Sequence, residues 1–225
     1  MKIDWRTEAP MWALLVLLFA LSAWCWPGSP DRIPVHWGLN GQPDRWGGRW
    51  EGLLTLPFAA LGIYLLLLFL PRIDPGRANY GTFARTYAAL RLLVLLFLSS
   101  IHVMVLLAIR GRHVDMTTIV PLLTGALLIV LGNLLGKIRP NWFVGIRTPW
   151  TLTSKESWTR THRAGGWVLM ACGLLLMTCA FFRQRAYEVG VFVLLAAAIL
   201  GLLVYSYVVW RNDPDKVPPA GTSPA

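Results

Sequence analysis

Read along the chain, apolar positions gather into long blocks separated by short polar stretches, and six blocks are long enough to cross a bilayer. They run from about Met11 to Trp26, Leu53 to Leu70, Phe83 to Ile109, Thr117 to Leu135, Gly166 to Phe182 and Val189 to Trp210. Pro71 follows the second block, and the third carries Arg91 and His102. The pattern predicts an all-α integral membrane protein: six transmembrane helices, a structured outer loop and a long irregular inner loop. The first block follows Lys2 and Arg6 and has the outline of a signal peptide. Trp24-Cys25-Trp26-Pro27 lacks the small residues a signal peptidase needs, so the block is read as a retained span.

Two polar stretches are more than connectors. In Pro27–Gly52 the prolines at 27, 30, 34 and 43 forbid a continuous helix, and Asn40-Gly41 signals a tight turn. An extended arm over Ile33–Trp37, a turn, and a return to the membrane near Trp50 are expected. In Gly136–Gly166, Pro140, Gly145 and Pro149 keep the first half irregular. Thr153-Ser154-Lys155-Glu156 then has the spacing of a capping box, with Thr153 as the cap and Glu156 reaching back to it. In the helix that follows, Trp158, Thr161, His162 and Gly165 share one face. Irregular backbone near the membrane must pack on protein or line a wet cavity. The tail after Arg211 is Pro-rich and polar and reads as disordered.

Composition agrees: 56% of 225 residues are hydrophobic and 14% charged, against about 25% charged in soluble chains. The net charge of +10 could suggest nucleic acid, but its distribution speaks for topology. With the N-terminus inside, 13 cations are cytoplasmic: Lys2, Arg6, Arg72, Arg77, Arg85, Lys137, Arg139, Arg147, Lys155, Arg160, Arg163, Arg211 and Lys216. Seven fall outside: Arg32, Arg45, Arg49, Arg110, Arg112, Arg183 and Arg185. The excess favours both termini in the cytoplasm. Seven of the twelve tryptophans lie near span ends, where an indole prefers the headgroup layer. The three cysteines sit in apolar blocks, which excludes a disulfide scaffold.

Catalytic chemistry is sparse. No carboxylate stands at the centre of a span, and Glu188 is at the lip of the sixth. The intramembrane polar residues are Arg91, His102 and Asn133. Arg91 and His102 are 11 residues apart, about 16 Å along one helical face. Ser99, Ser100, Thr124 or Asn133 would be their partners. Arg91 then either cross-links helices and snorkels, or belongs to a substrate or proton path. His36 with Asp44 and Glu51 is too thin a set for a metal. His162 beside Ser157 or Thr161 lacks an orienting third group for catalysis. No cofactor, metal or enzymatic activity is expected. In contrast, Arg139, Arg147, Arg160 and Arg163 among Trp142, Trp150 and Trp158 suit an acidic protein surface or a lipid phosphate, or a self-packed element at the anionic leaflet.

The run from Arg139-Pro140-Asn141-Trp142-Phe143-Val144-Gly145-Ile146-Arg147-Thr148-Pro149-Trp150 to Trp158, Thr161, His162 and Arg163 resembles the signature of the SdpI-type immunity protein family. Pro34, His36, Trp37, Gly41 and Asp44 resemble the small membrane domain of unknown function that often precedes it, with Gly38 where that domain usually has Asn. The resemblance implies a six-span protein of the bacterial inner membrane and resistance to a secreted peptide toxin or envelope stress, with a soluble repressor held at the membrane. It implies an N-terminal domain over 1–115, an SdpI-type domain over 116–211 and a tail over 212–225. The implied partners are the lipid bilayer, a peptide toxin outside and a cytoplasmic regulator inside, with no direct nucleic-acid contact. A small-molecule or ion transporter using Arg91 and His102 is the alternative.

Overall fold

The computed structural model describes residues 4–38 and 40–217; Lys2 and the end of the tail, 218–225, lie outside them. Among the described residues, seven α-helices and one hairpin follow in order, with short 3-10 turns at Trp26–Gly28 and Arg77–Phe83. They are α1 (Trp5–Cys25), β1 (Ile33–Trp37), β2 (Pro43–Gly47), α2 (Arg49–Ile73), α3 (Ala84–Ile109), α4 (Met116–Leu135), the short α5 (Pro149–Thr153), α6 (Lys155–Thr178) and α7 (Arg185–Arg211). The protein is an all-α membrane protein. Among the described residues, α1, α2, α3, α4 and α7 are each long and apolar enough to cross a bilayer.

The fifth expected block, Gly166–Phe182, is the second half of α6, which begins eleven residues earlier in polar sequence and stops at Thr178. That polar first half is why α6 does not qualify as a span by itself. Two other boundaries move. The second block runs through Pro71 to Ile73. The first starts at Trp5, because Asp4 caps the helix by accepting from the Arg6 backbone N–H at 3.3 Å. Six polar-flanked residues ahead of Met11 thereby become helical, and Glu8 with them.

The chain forms two compact units. Among the described residues, one comprises 4–38, 40–69 and Ala88–Leu123. Its core is Met11, Leu15, Leu18, Ala60, Tyr64, Leu68 and Leu95, contributed by α1, α2 and α3. The arm in Pro27–Gly52 is a true hairpin: β1 and β2 pair antiparallel, Ile33 opposite Gly47 and Trp37 opposite Pro43, with a bulge around His36. Gly41 turns the chain at φ 73°, a conformation that favours glycine. Ile33 is fully buried and packs on Gly52 of α2, where a Cβ would come within 2.5 Å of its Cγ2. The return strand was not expected from sequence; it follows once the turn reverses the chain.

The other unit comprises, among the described residues, Leu70–Tyr87 and 124–217. Here α4 and α6 run antiparallel with their backbones in contact. A Cβ on Gly132 would sit 2.5 Å from the Gly166 carbonyl oxygen, and one on Gly173 2.5 Å from that of Gly125. The two glycine pairs are spaced seven apart on each helix, two turns on the same face. Small residues of this kind allow helices in a membrane to approach closely enough for dispersion contacts to hold them.

Candidate functional site

The segment between α4 and α6 is irregular but fully braced. Its first anchor is Asp74, in the Asp-Pro-Gly turn that closes α2. The 1%-exposed carboxylate accepts from the Gly76 N–H at 2.6 Å, the Tyr80 hydroxyl at 2.8 Å and the Trp142 N–H at 3.1 Å. Asn79 donates to the Pro140 carbonyl at 2.7 Å. Asn141, itself buried, works within the loop. Its Oδ1 accepts from the Phe143 and Val144 N–H groups at 2.9 and 2.6 Å, and its Nδ2 donates to the Arg139 and Val144 carbonyls, both at 2.9 Å. A backbone without helix or sheet is thus satisfied by three side chains, as buried N–H and C=O groups must be.

The second anchor is on α6. Gly145 has φ 113°, and a Cβ there would collide with His162 Nε2. That ring accepts from the Ile146 N–H through Nε2 at 3.1 Å and meets the Trp158 carbonyl through Nδ1 at 2.8 Å. A carbonyl only accepts and an N–H only donates, so Nδ1 carries the proton and the imidazole is neutral. Burial pushes the His162 pKa down to about 4, opposed by the bond to the Trp158 carbonyl, which favours the charged form. The ring stacks on Trp158 at 4.0 Å between centroids, and Trp158 Nε1 donates to the Ile138 carbonyl at 3.0 Å.

The third anchor is a set of buried hydroxyls. Thr148 and Thr151 cap α5 reciprocally, each side chain accepting from the other's N–H. Thr148 also meets Ser206 of α7 at 3.1 Å, and Ser157 donates to the Ser206 carbonyl at 2.8 Å. The cap expected at Thr153 with Glu156 is corrected here. Pro149 starts a separate short helix that uses Thr153 as its last residue, and extended Ser154 breaks the chain and caps α6 through the Ser157 N–H. Glu156 pairs with Arg160, four residues on, at 2.6 Å. Ser154 also donates to Asp213 Oδ2 at 2.5 Å, a bond that lowers the Asp213 pKa. The Val217 N–H reaches the Thr153 carbonyl. The start of the segment read as a disordered tail is therefore tied down as far as 217.

The residues singled out by sequence divide into two sets. Asn141, Thr148, Trp158, Thr161 and His162 are buried, with Gly145 and Trp150 half-buried; these build the segment. Arg139, Trp142, Arg147, Pro149 and Arg163 are exposed, and Trp142 shows 55% of its surface. Arg147 Nη1 donates to the Trp142 carbonyl at 3.0 Å, so the guanidinium and the indole are held by adjacent backbone. Sequence reasoning missed Asp74, Thr151, Ser206 and Asp213; only the Asp-Pro-Gly turn at 74–76 signalled any of them. On the hairpin, Pro34 is buried, Trp37 and Gly41 are half-buried, and His36 and Asp44 are exposed. His36 Nδ1 meets Asp44 Oδ1 at 2.5 Å, whereas Glu51 turns to Arg45. Among the described residues no three His, Cys, Asp or Glu gather as a metal would require.

The intramembrane polar groups require a correction. Arg91 reaches neither Ser99 nor Ser100, whose hydroxyls bond their own helix at Leu95 and Leu96. It forms a two-pronged pair with Glu8, at 2.6 and 2.9 Å, and the Tyr64 hydroxyl donates to the same carboxylate at 2.8 Å. His102 Nε2 meets Ser22 Oγ at 2.8 Å, and Ser22 lies 2.7 Å from the Leu53 carbonyl. Asn133 is exposed on α4. The carboxylate was overlooked because apolarity begins at Met11 whereas the helix begins at Trp5. An Arg in mid-span is itself the signal that an acid must be sought near a span end.

Residues 137–208 match the profile of the SdpI/YfhL protein family, and residues 13–61 match a domain of unknown function, DUF1648. Over 196 residues the chain is 29% identical to the immunity protein SdpI of Bacillus subtilis (strain 168), covering 86% of this chain and 92% of that relative. No solved structure matches. The resemblance read from 139–163 and from the hairpin residues is borne out.

Proposed function

We propose that this SdpI-type membrane protein confers resistance to a secreted peptide toxin or to envelope stress by binding, without catalysis. The observation that carries the reading is the likeness to an immunity protein along 86% of the chain, which includes both the hairpin and the braced 139–163 segment. The 13-to-7 division of cations supports both termini in the cytoplasm. On that orientation the hairpin faces the envelope and its toxin. The 136–165 segment faces inward, with exposed Arg139, Arg147 and Arg163 available to a cytoplasmic regulator such as a repressor. Buried Asn141, Thr148, Trp158 and His162 hold that surface in place and are not themselves contact residues. The domain division at 115/116 and 211/212 belongs to the same reading, since the family matches fall on either side of the first boundary.

A transport path past Arg91 and His102 draws no comparable support, because both groups are engaged by side chains of their own unit. Expression in a toxin-sensitive bacterium is the test. Survival should rise with the wild-type chain and fall back with Arg147→Ala, while membrane abundance stays level. Unchanged survival across several membrane-active peptides would overturn the immunity reading. Ligand flux in proteoliposomes that Arg91→Ala abolishes would establish the transporter instead.

A further inference from the structure

We infer that the surface formed by Lys137, Arg139, Trp142, Arg147 and Arg163 is a binding site for anionic phospholipid headgroups. Two helix ends place it at headgroup depth. The 20-residue α4 extends about 30 Å, the thickness of the hydrocarbon core, and Lys137 follows its last residue by two positions. The 25-residue α2 extends about 37 Å, beyond that core, and Asp74, the next residue after its end, holds the Trp142 N–H.

The exposed cations there outnumber the acids and, among the described residues, form no ion pairs, the buried Asp74 carboxylate being engaged by the Gly76 and Trp142 N–H groups and the Tyr80 hydroxyl. From Lys137 to Arg163 there are six cations and one acid, Glu156, and Glu156 is taken by Arg160. Among the described residues none of Lys137, Arg139, Arg147 and Arg163 has a carboxylate within ion-pair distance. The hairpin behaves differently: Asp31, Asp44 and Glu51 are paired with Arg49, His36 and Arg45. Its charge is neutralised at home, and that of the 137–163 segment is left for a ligand.

The surface is also preorganised. Trp142 and Phe143 are 55% and 36% exposed although their backbone N–H groups are bonded to Asp74 and Asn141. Arg147 is fixed to the Trp142 carbonyl through one guanidinium nitrogen, which leaves other N–H donors of the fork free to meet a phosphate. Gly136 brings Lys137 beside Arg163, whose Cα lies 3.9 Å from where a Gly136 Cβ would be. Apolar rings beside one fixed guanidinium and three further exposed cations, at the level of two span ends, match the acyl–phosphate boundary of a lipid better than a wholly polar protein surface. The inference rests on the chain crossing a bilayer and not on the immunity reading, so each fails separately.

The test uses the full-length protein in detergent, titrated with phosphatidylglycerol, phosphatidylcholine or inorganic phosphate, with lipid retention read by native mass spectrometry. Phosphatidylglycerol should be retained in preference to phosphatidylcholine. Each cation removed should weaken that preference about fivefold, the effect of one basic residue at an anionic surface. Arg139→Gln with Arg147→Gln should therefore nearly abolish it, whereas Arg147→Lys should keep most of it. Lys137→Gln with Arg163→Gln repeats the measurement at side chains that brace nothing. Equal retention of the two lipids would overturn the proposal and return the surface to an acidic protein partner. A preference unchanged in both double variants would overturn it too, and so would displacement of the lipid by inorganic phosphate alone, which would indicate a free-anion site.

Discussion

Glu8 and Arg91 stand 83 positions apart in the chain and meet in a bidentate pair buried to within a few per cent on both sides. Tyr64 completes the contact from α2, so one carboxylate ties three helices. About 20 Å further along α1, Ser22 does the same with His102 and the Leu53 carbonyl. The pairs Glu8–Arg91 and Ser22–His102 show that α1 and α3 run in the same direction, with α2 opposed.

Glu8→Leu should therefore be strongly destabilising, by about 3–5 kcal/mol, because it leaves a guanidinium buried without its anion. Glu8→Leu combined with Arg91→Leu should recover most of that loss, since neither charge remains. Detergent-solubilised thermal midpoints measure both. A single Glu8→Leu variant as stable as wild type would show that the pair contributes nothing.

Gly145→Ala should disorder the 139–147 loop. It adds a Cβ at φ 113°, with strain of roughly 1–3 kcal/mol, and drives that Cβ against His162 Nε2. Gly62→Ala, where nothing lies within 4 Å, is the control and should be neutral or slightly stabilising in α2. Limited proteolysis across 139–150 separates the two: faster cleavage in Gly145→Ala only is expected.

Stability should also depend on pH through His162. Its folded pKa of about 4 lies below the ordinary 6.5, so the folded state disfavours the charged ring. The contribution is complete above pH 6.5, falls as pH drops from there toward 4, and levels off below. The full span is on the order of 3 kcal/mol. The difference in thermal midpoint between wild type and His162→Phe, followed from pH 7.5 to 4, should shrink or reverse. A constant difference would mean that His162 does not titrate on unfolding.

Gly132→Val should separate α4 from α6, because the side chain would meet the Gly166 carbonyl and Met170. The expected cost is about 1–3 kcal/mol, typical of an overpacked contact. Crosslinking yield between cysteines placed on the outer edges of α4 and α6 should fall with it. The same yield after Gly190→Val, whose surroundings are open, should not.

Much of this was legible in one dimension. Blocks of apolar residues announce helices because a bilayer offers no partner for a free N–H or C=O. Asn40-Gly41 announced the hairpin turn because few other residues tolerate the positive φ it needs. The spacing of Trp158, Thr161, His162 and Gly165 announced a shared face, and all four are buried. Within the candidate site, however, spacing did not separate the residues that brace the loop from those that face outward. Asn141 and Arg139 look equally polar in sequence, yet one closes four backbone bonds inside and the other points out.

The remainder is a matter of distance between residues far apart in the chain. Composition and periodicity determined that this protein lives in a membrane, where its apolar blocks lie, and which loop carries its cations. Only the tertiary structure decided that Glu8 answers Arg91, that Asp74 holds Trp142, that His162 is neutral under Gly145, and that Gly125 and Gly132 press against Gly173 and Gly166. Local rules act over one or two helical turns. A buried charge or an orphaned backbone group is satisfied by whatever folding brings within 3 Å, and that partner carries no mark in the sequence around it.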